Sequence, residues 1–413
     1  MSKHQGLLLC TLLAALAFTV VGCSNDKSSN PVLSISLDPD STGVEICSTI
    51  DITADVAHGE ASEVDWYVNG VLGGGTAQGS ITQTNPATYS APGIIPAQAT
   101  VVVRAVSRED TTKADSCRVT VKFTVIHVSA GTGSDATGTG CITKPLKSIS
   151  HAVDVAPQGT TVLVAPGIYD EANGESFPIE WFGRVSVVGE SRETTIIRMT
   201  AGPGAAIGVY QDGPAIRCFT VDQGPAPVAQ WNYVVYVNTS ATNALLDSLI
   251  VHDRAINSVV RVAAATNTTI KNCQFTADGT AASTCLDLIS GDSGTVVRNC
   301  EISGFIQGIF MNGSELGSSD ALIEGCTIED NTYGVNMCCY ASATSNPHPD
   351  LGGGPRGSLG GNVIRGSSMY GLHNPAADTV YARFNTWGHT PPTLGSATGS
   401  DIYNEGTGSV IWE

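Results

Sequence analysis

The chain is poor in charged residues, in aromatic residues and in long apolar runs. Charged side chains make up 14% of the 413 residues and aromatic side chains 6%. Acidic residues (38) outnumber basic ones (20), and the net charge of −18 argues against nucleic acid as a partner. The apolar run 7–21 is shorter than a membrane-spanning helix needs. Glycine (46) and proline (19) are abundant, and this composition predicts an all-β protein with many turns.

The N-terminal residues have the layout of an export signal. Lys3 and His4 precede the apolar run, which ends in Val20-Val21-Gly22-Cys23. This ending resembles the lipobox of bacterial lipoproteins, which implies that residues 1–22 are a signal peptide and that Cys23 carries a lipid anchor in the membrane. The following Ser24 favours the outer membrane or the cell surface, and residues 23–31 are typical of a flexible tether. An ordinary secretory signal with an unmodified Cys23 is the alternative.

Residues 32–125 are predicted to form a small β-sandwich. Alternating segments separated by turn residues predict strands at 32–37, 46–56, 64–68, 100–107 and 117–125. The motifs Asp65-Trp66-Tyr67-Val68-Asn69-Gly70 and Tyr89-Ser90-Ala91-Pro92-Gly93 resemble bacterial Ig-like repeats of surface proteins, which implies an Ig-like domain. Trp66 lies inside a strand pattern, so we expect it in the core.

Export would place the cysteines of the mature protein where they can form disulfides. Without Cys10 and Cys23, ten of the 12 cysteines remain in an oxidising compartment, where disulfides form. Cys47 and Cys117 lie in different predicted strands and are the candidates for a bridge. Two buried thiols are the alternative, because connectivity does not follow from a sequence.

Residues 126–413 open with a dense series of turn and strand motifs. The series runs through Val128-Ser129-Ala130-Gly131-Thr132-Gly133-Ser134-Asp135, Lys144-Pro145-Leu146-Lys147-Ser148-Ile149 and Ala165-Pro166-Gly167-Ile168-Tyr169. Over about residues 128–190 it resembles a domain-of-unknown-function family (the 1565 type) of bacterial β-helix proteins. The resemblance implies a right-handed parallel β-helix and no assigned activity. Apolar residues at helical spacing within 145–156 predict a helix that caps the first coil.

A weak repeat continues to the end of the chain. Its members are Ile216–Val221, Leu245–Ile250, Ile270–Phe275, Val297–Ile302, Ile323–Ile328, Leu359–Ile364 and Ala382–Trp387. One aligned position reads Phe219, Ser248, Cys273, Cys300, Cys326, Asn362 and Asn385. The position before it reads Cys218, Asp247, Asn272, Asn299, Gly325, Gly361 and Phe384, mostly residue types that tolerate a left-handed bend. We therefore predict one coil per repeat, with the cysteines buried as small apolar side chains.

A second strand in each coil carries the candidate ligand-binding residues. Apolar residues flank one outward position, which reads Tyr236, Arg261, Asp287, Phe310, Asn336 and His373. If the coils stack in register, these side chains form one stripe of aromatic and hydrogen-bonding groups, as on glycan-binding surfaces. An ordinary mixed surface is the alternative.

The repeat also resembles the pectin-lyase-like superfamily, in which glycan-cleaving enzymes act on the outer face of the coils. A lyase needs a cation and a basic residue, and a hydrolase needs two carboxyls. The candidates for catalysis are Lys271 and Arg298, predicted side by side on adjacent coils, and Asp287. The basic pair would suit a uronate or phosphate, but we expect Glu301 and Glu324 to neutralise it. The carboxylates do not gather on neighbouring coils, so neither enzyme template is met.

Asp135, Asp170 and Glu171 are candidates for a structural calcium site, and no other cofactor is expected. The leading hypothesis is a lipid-anchored, non-enzymatic envelope protein whose β-helix binds polysaccharide or another envelope component. A polysaccharide lyase or glycoside hydrolase is the second hypothesis, and a structural or assembly protein is the third.

Overall fold

The computed structural model describes residues 32–413 except 60–63, 95, 182, 201–204, 224–232, 254–257, 278–282, 290–292, 314–318 and 340–345. The predicted signal peptide and Cys23 therefore lie outside the described residues. Within them the chain forms two β-rich units, one ending at Lys122 and the next beginning at Val125. No helix of the described part is long and apolar enough to cross a membrane.

The first unit consists of two five-stranded sheets. Its strands are β1 (Ser34–Asp38), β2 (Ser41–Glu45), β3 (Thr49–Ala57), β4 (Val64–Val68), β5 (Val71–Leu72), β6 (Gly74–Gly75), β7 (Gly79–Ile81), β8 (Ala87–Ser90), β9 (Thr100–Ser107) and β10 (Ala114–Lys122). The sheet orders are β1-β3-β8-β7-β6 and β2-β10-β9-β4-β5. Alternate residues of both sheets face one shared apolar core, in which Trp66 is fully buried as predicted.

The predicted pairing of Cys47 with Cys117 is wrong. Cys47 forms a disulfide with Cys141, whereas Cys117 is a buried free thiol within β10. Cys117 faces the core of the first unit, while Cys47 follows β2 and meets a turn from the start of the second unit. The bridge therefore joins the two units covalently.

The second unit is a parallel β-helix of three sheets. The first sheet contains β11 (Val125–Val128), β12 (Thr161–Val164), β15 (Ser186–Gly189), β18 (Ala215–Arg217), β21 (Leu245–Asp247), β24 (Thr269–Lys271), β27 (Thr295–Arg298), β30 (Asp320–Glu324), β33 (His348–Gly352), β36 (Val380–Ala382) and β39 (Val410–Ile411). The second contains β13 (Gly167–Tyr169), β16 (Thr195–Met199), β19 (Thr220–Gln223), β22 (Ile250–Asp253), β25 (Gln274–Ala277), β28 (Glu301–Ser303), β31 (Thr327–Glu329), β34 (Val363–Arg365) and β37 (Thr386–Trp387). The third contains β14 (Ile179–Trp181), β17 (Ala205–Val209), β20 (Tyr233–Val237), β23 (Ser258–Ala263), β26 (Thr284–Ile289), β29 (Gln307–Gly313), β32 (Tyr333–Cys339), β35 (Tyr370–Asn374) and β38 (Ser400–Asn404).

Every strand of the β-helix pairs in parallel with its equivalent in the next coil. A sharp one-residue bend separates the first and second sheets, and the bend residues Cys218, Ser248, Asn272, Asn299 and Phe384 all have positive φ. The next residue of each coil points inward, and Cys273, Cys300 and Cys326 are buried there, as predicted. Asn362 continues this inner column fully buried, where its amide nitrogen donates to the carbonyls of Ile323 and Leu351.

The predicted alignment is wrong in two coils. The segment Leu359–Ile364 does not supply the first-sheet strand of its coil, because β33 does so and Leu359 is exposed. In the coil before Lys271 the alignment is wrong by one residue. Ser248, not Asp247, occupies the left-handed bend, and Leu249 rather than Ser248 fills the inner column. Asp247 consequently lies on the outer surface, in register with Arg217 before it and Lys271 after it. This shift changes which side chain faces Lys271.

A short helix, α1 (Ile149–Val155), packs against β11, β12 and β14 at the start of the β-helix. Ser148 caps its N-terminus by accepting from the backbone N–H of His151 at 3.2 Å. The carboxylate of Glu175 accepts from the backbone N–H groups of Ile149 and Ser150, at 2.5 and 2.9 Å. Burial raises the pKa of Glu175 in spite of these hydrogen bonds.

Candidate functional site

The outer surface of the third sheet carries the predicted ligand-binding residues in one unbroken column. Backbone pairing places one residue per coil in the order Glu180, Gly208, Tyr236, Arg261, Asp287, Phe310, Asn336, His373 and Tyr403. The six predicted side chains are consecutive members of this column. The alternation of each strand explains it, because Val235 and Val237 point into the core on either side of Tyr236.

A second column lies three residues earlier in each strand. It reads Tyr233, Ser258, Thr284, Gln307, Tyr333, Tyr370 and Ser400. We call the two columns together the third-sheet face. The sequence analysis missed the tyrosines of this second column, although the spacing of three between Tyr233 and Tyr236, and between Tyr370 and His373, was a usable signal.

Three tyrosines form a cluster near the N-terminal end of the face. The ring centroids of Tyr233 and Tyr236 are 5.5 Å apart and nearly parallel, and Tyr210 meets Tyr236 edge-on at 6.3 Å. The Arg261 guanidinium lies 5.1 Å from the centroid of the Tyr233 ring, and its Nη1 donates to the Tyr233 hydroxyl at 2.6 Å. We call Tyr210, Tyr233 and Tyr236 the upstream cluster.

Asp287 lies on the coil after Arg261 and is largely buried. Its Oδ2 is 3.4 Å from Arg261 Nη1 and accepts from the Ser258 hydroxyl at 3.2 Å. Burial raises the pKa of Asp287, whereas the Arg261 charge and the Ser258 hydrogen bond act in the opposite direction. The pair therefore presents a guanidinium whose charge is largely compensated by a buried carboxyl.

A second aromatic cluster lies towards the C-terminal end of the face. The rings of His373 and Tyr403 stack in parallel with centroids 5.3 Å apart, and Tyr370 contacts Tyr403 at 4.7 Å and His373 at 5.3 Å. Tyr333 lies 5.9 Å from both Tyr370 and His373. We call Tyr333, Tyr370, His373 and Tyr403 the downstream cluster.

The imidazole of His373 is held from both sides along the helix axis. Its Nδ1 lies 2.9 Å from Asn336 Oδ1 on the preceding coil, and its Nε2 lies 3.0 Å from Glu405 Oε2 beyond the following strand. Asn336 is oriented in turn by a 3.3 Å hydrogen bond from its amide to Gln307 Oε1. The downstream cluster is therefore fixed across successive coils before any ligand arrives.

The structure does not bring the three candidate catalytic residues together. Lys271 and Arg298 lie side by side on the first sheet, as predicted, while Asp287 lies on the third. Arg298 Nε is 2.6 Å from Glu324 Oε1, as the sequence predicted. Lys271 Nζ is 3.5 Å from Asp247 Oδ2, so its partner is Asp247 and not Glu301, which belongs to the second sheet.

Hydrogen bonds hold Asp247 in its charged form. Burial raises its pKa, but the side chains of Asn272 and Ser248, at 2.9 and 3.0 Å, together with Lys271 lower the pKa overall. The first-sheet pairs thus satisfy each other within the protein.

The three calcium candidates serve local backbone interactions. Asp135 accepts from the backbone N–H groups of Lys147 and Ser148, Asp170 from that of Asn173, and Glu171 from that of Thr200. Among the residues that the structure describes, no three histidine, cysteine or acidic side chains form a group that could hold a metal ion.

Two histidine clusters escaped the sequence analysis. His348 lies between the carboxylates of Asp320 and Asp378, at 3.2 and 3.1 Å. His389 Nδ1 contacts the buried carboxylate of Asp401 at 2.9 Å. The partners of His348 are about 30 residues away and meet it because the coils stack, whereas Asp401 lies 12 residues after His389 across an intervening loop. Neither arrangement forms a short sequence motif.

Comparison with known proteins identifies a family and a general architecture. The profile of the family described as "Protein of unknown function (DUF1565)" matches residues 131–394. Among solved structures, a rhamnogalacturonan lyase is similar at 13% identity and TM-score 0.49, covering 70% of this chain and 86% of its own.

The pectate lyase Pel9A aligns at 15% identity and TM-score 0.43, covering 70% and 76%, respectively. The A-module of the Azotobacter vinelandii mannuronan epimerase AlgE4 aligns at 15% identity and TM-score 0.35, covering 69% and 98%. At such identities these similarities concern the β-helix architecture alone. No curated protein sequence matches the chain.

Proposed function

The chain belongs to the DUF1565 family, whose activity is unassigned, and we propose that it is an exported, lipid-anchored protein that binds polysaccharide on the third-sheet face. In this proposal binding, not cleavage, is the principal function. The protein would present the β-helix to a glycan or to another envelope component, with the lipid on Cys23 holding it at the outer membrane or cell surface.

The in-register aromatic face carries the proposal. Five tyrosines, one histidine and Phe310 lie half-buried or buried on five of the nine strands of one sheet, in a protein with few aromatic residues overall. Flat amphipathic side chains on one face match the sugar rings of a polysaccharide, because each ring offers an apolar patch and each hydroxyl a hydrogen-bond partner. Their mutual contacts also lower the entropy that binding would otherwise cost.

Export and anchoring form the second part of the proposal. The Cys47–Cys141 disulfide is of the kind that persists in oxidising compartments and so supports export. In this proposal the two-sheet unit is an Ig-like spacer, α1 caps a right-handed helix, and any calcium is structural, near Asp135, Asp170 or Glu171. Metabolic labelling with a radioactive fatty acid tests the anchor, since Cys23→Ser should abolish incorporation of the label.

The binding experiment uses the soluble form that begins after Cys23. Affinity electrophoresis and calorimetry with a panel of neutral and acidic polysaccharides, with and without calcium, should reveal retardation by at least one polymer. Tyr236→Ala combined with Tyr403→Ala should weaken that binding by at least about tenfold, as expected for central aromatic contacts. Lys271→Ala on the first sheet is the matched control and should bind as the wild type does.

The same panel tests a second candidate function. The buried, pKa-raised carboxyl of Asp287 beside Arg261 resembles the environment of catalytic acids, which favours a lyase or hydrolase as the alternative. Release of reducing ends or of unsaturated uronates, abolished by Asp287→Asn, would establish that alternative. Failure of every polymer either to bind or to be cleaved would shift the proposal to a structural or assembly partner.

A further inference from the structure

The positive charge of Arg261 on the third-sheet face is compensated within the protein. Arg261 pairs with Asp287 at 3.4 Å and with the Tyr233 hydroxyl at 2.6 Å, and His373 lies against Glu405 at 3.0 Å. No other lysine or arginine belongs to the two columns in the part of the chain that the structure describes. A polyanion would find no uncompensated cation here.

The charge of the rest of the molecule acts in the same direction. The net charge is −18, and Glu180 begins the outer column of the face while Glu405 borders the downstream cluster. Carboxylates on a ligand would be repelled by this field and would have to displace Asp287 from Arg261 to gain a partner. Uncharged sugars meet no such cost.

The two aromatic clusters are also separated along the helix axis. Tyr236 and Tyr403 are six rungs apart in the outer column, which corresponds to about 29 Å at the usual strand spacing. Arg261, Asp287, Phe310 and Asn336 lie between Tyr236 and His373 in the outer column, and the coil of Phe310 contributes Gln307 to the second column. The face thus has two aromatic ends joined by a more polar middle.

From these observations, and resting on the proposed polysaccharide binding, we infer that the ligand is an uncharged polysaccharide that lies along the helix axis and engages both aromatic clusters at once. Two contacts on one chain make the second an intramolecular event, so affinity rises sharply once an oligosaccharide spans both. The upstream and downstream clusters are therefore subsites of a single extended site.

The test is calorimetry of the soluble protein with oligosaccharide series of increasing length. The neutral probes are cello-oligosaccharides and manno-oligosaccharides, and the acidic probe is an oligogalacturonate series of matched lengths. The inference expects neutral oligomers to bind, with affinity rising at least about tenfold at the length that reaches from Tyr236 to Tyr403. Tyr236→Ala or Tyr403→Ala alone should abolish that rise while short oligomers still bind at the intact cluster.

Asp287→Asn tests the compensated charge directly. This variant leaves Arg261 without its carboxylate, so oligogalacturonate should bind several-fold more tightly than it binds the wild type. Circular dichroism establishes that the variant is folded. Lys271→Ala, which changes a charge on the first sheet, is the control variant.

The outcomes separate the inference from the proposed function. Tighter binding of oligogalacturonate than of neutral oligomers to the wild type would overturn the inference and leave polysaccharide binding intact. Neutral binding without any dependence on length would overturn the two-subsite arrangement. If neither these series nor the broader polymer panel bound, the proposed function itself would be refuted.

Discussion

The outer columns of the first and third sheets are built on the same rungs but carry opposite chemistry. On the first sheet, Arg217, Asp247, Lys271, Arg298 and Glu324 follow one another on consecutive coils. On the third sheet, the corresponding coils present aromatic and amide side chains around the Arg261–Asp287 ion pair. Because the coils stack, each side chain contacts its equivalents on the preceding and following coils. The residue types in a column therefore decide whether its charged and polar groups find partners within that column.

In the first-sheet column Lys271 and Arg298 have carboxylate partners within the column, whereas in the third-sheet column only some of the side chains have such partners. Asp247 and Glu324 form ion pairs with Lys271 and Arg298 and compensate their positive charges. That column therefore offers few unpaired charges to a ligand. Aromatic rings have no such exclusive partners, since a ring packed on one neighbour still presents its edge. In this β-helix a column of paired charges is thus a weaker indication of a binding site than a column that contributes to aromatic clusters.

The largest effect that we predict in this comparison is on stability and concerns Glu324. Its carboxylate is largely buried, is 2.6 Å from Arg298 and accepts from the backbone N–H of Leu359 at 3.1 Å. Glu324→Ala should lower the free energy of unfolding by about 2 kcal/mol, because the backbone N–H of Leu359 loses its charged acceptor and Arg298 loses its partner. Chemical denaturation followed by circular dichroism measures the change.

Arg298→Ala provides the matched control for that prediction. The Arg298 side chain is about half exposed, so its removal should cost at most about 1 kcal/mol. Equal losses for the two variants would mean that the column is held by the ion pair alone. Glycan binding by both should equal that of the wild type, because neither side chain lies on the third-sheet face.

Much of the fold was predictable because a β-helix repeats one local pattern. The positions that bend, the inner cysteines and the six outward residues of the third sheet follow from the recurrence of turn-forming and apolar residues. The error at Ser248 has a physical reason. Aspartate and serine both tolerate a left-handed bend, so the repeat pattern did not decide between Asp247 and Ser248. The bend at Ser248 is the one that places Leu249 in the inner column.

Contacts between distant residues were not predictable from the repeat. Cys47 pairs with Cys141 across a separation of 94 residues, and that choice depends on how the two units meet. The compensation of Lys271 by Asp247 likewise depends on register, and His373 reaches Glu405 beyond the next strand of its sheet. Such contacts are set by packing between coils, which a single sequence does not encode in any local motif.

A smaller, pH-dependent effect on stability should come from the Arg261–Asp287 ion pair of the third sheet. Because burial raises the pKa of Asp287 above its unfolded value of about 3.9, the folded state binds the proton more tightly than the unfolded state. The stability contributed by this carboxyl is therefore present at low pH and is lost as pH rises through the raised folded value.

The measurement is the difference in unfolding free energy between wild type and Asp287→Asn across the acidic range. The wild type should gain on the variant as pH falls towards about 3.9, and the difference should level off above the folded pKa. A difference that moved in the opposite sense would show that Arg261 outweighs burial. Chemical denaturation at each pH gives the values.

The smallest effect should come from Lys271, and it tests the comparison most directly. Its ammonium is partly exposed and 3.5 Å from Asp247, whose carboxylate keeps hydrogen bonds from Asn272 and Ser248 when the lysine is removed. Lys271→Ala should therefore change the free energy of unfolding by less than about 0.5 kcal/mol and leave glycan affinity unchanged. A loss of binding in this variant would move the ligand site to the first sheet, because Lys271 belongs to that sheet. Unchanged binding, combined with the loss expected for Tyr236→Ala, would assign ligand recognition to the outer column of the third sheet.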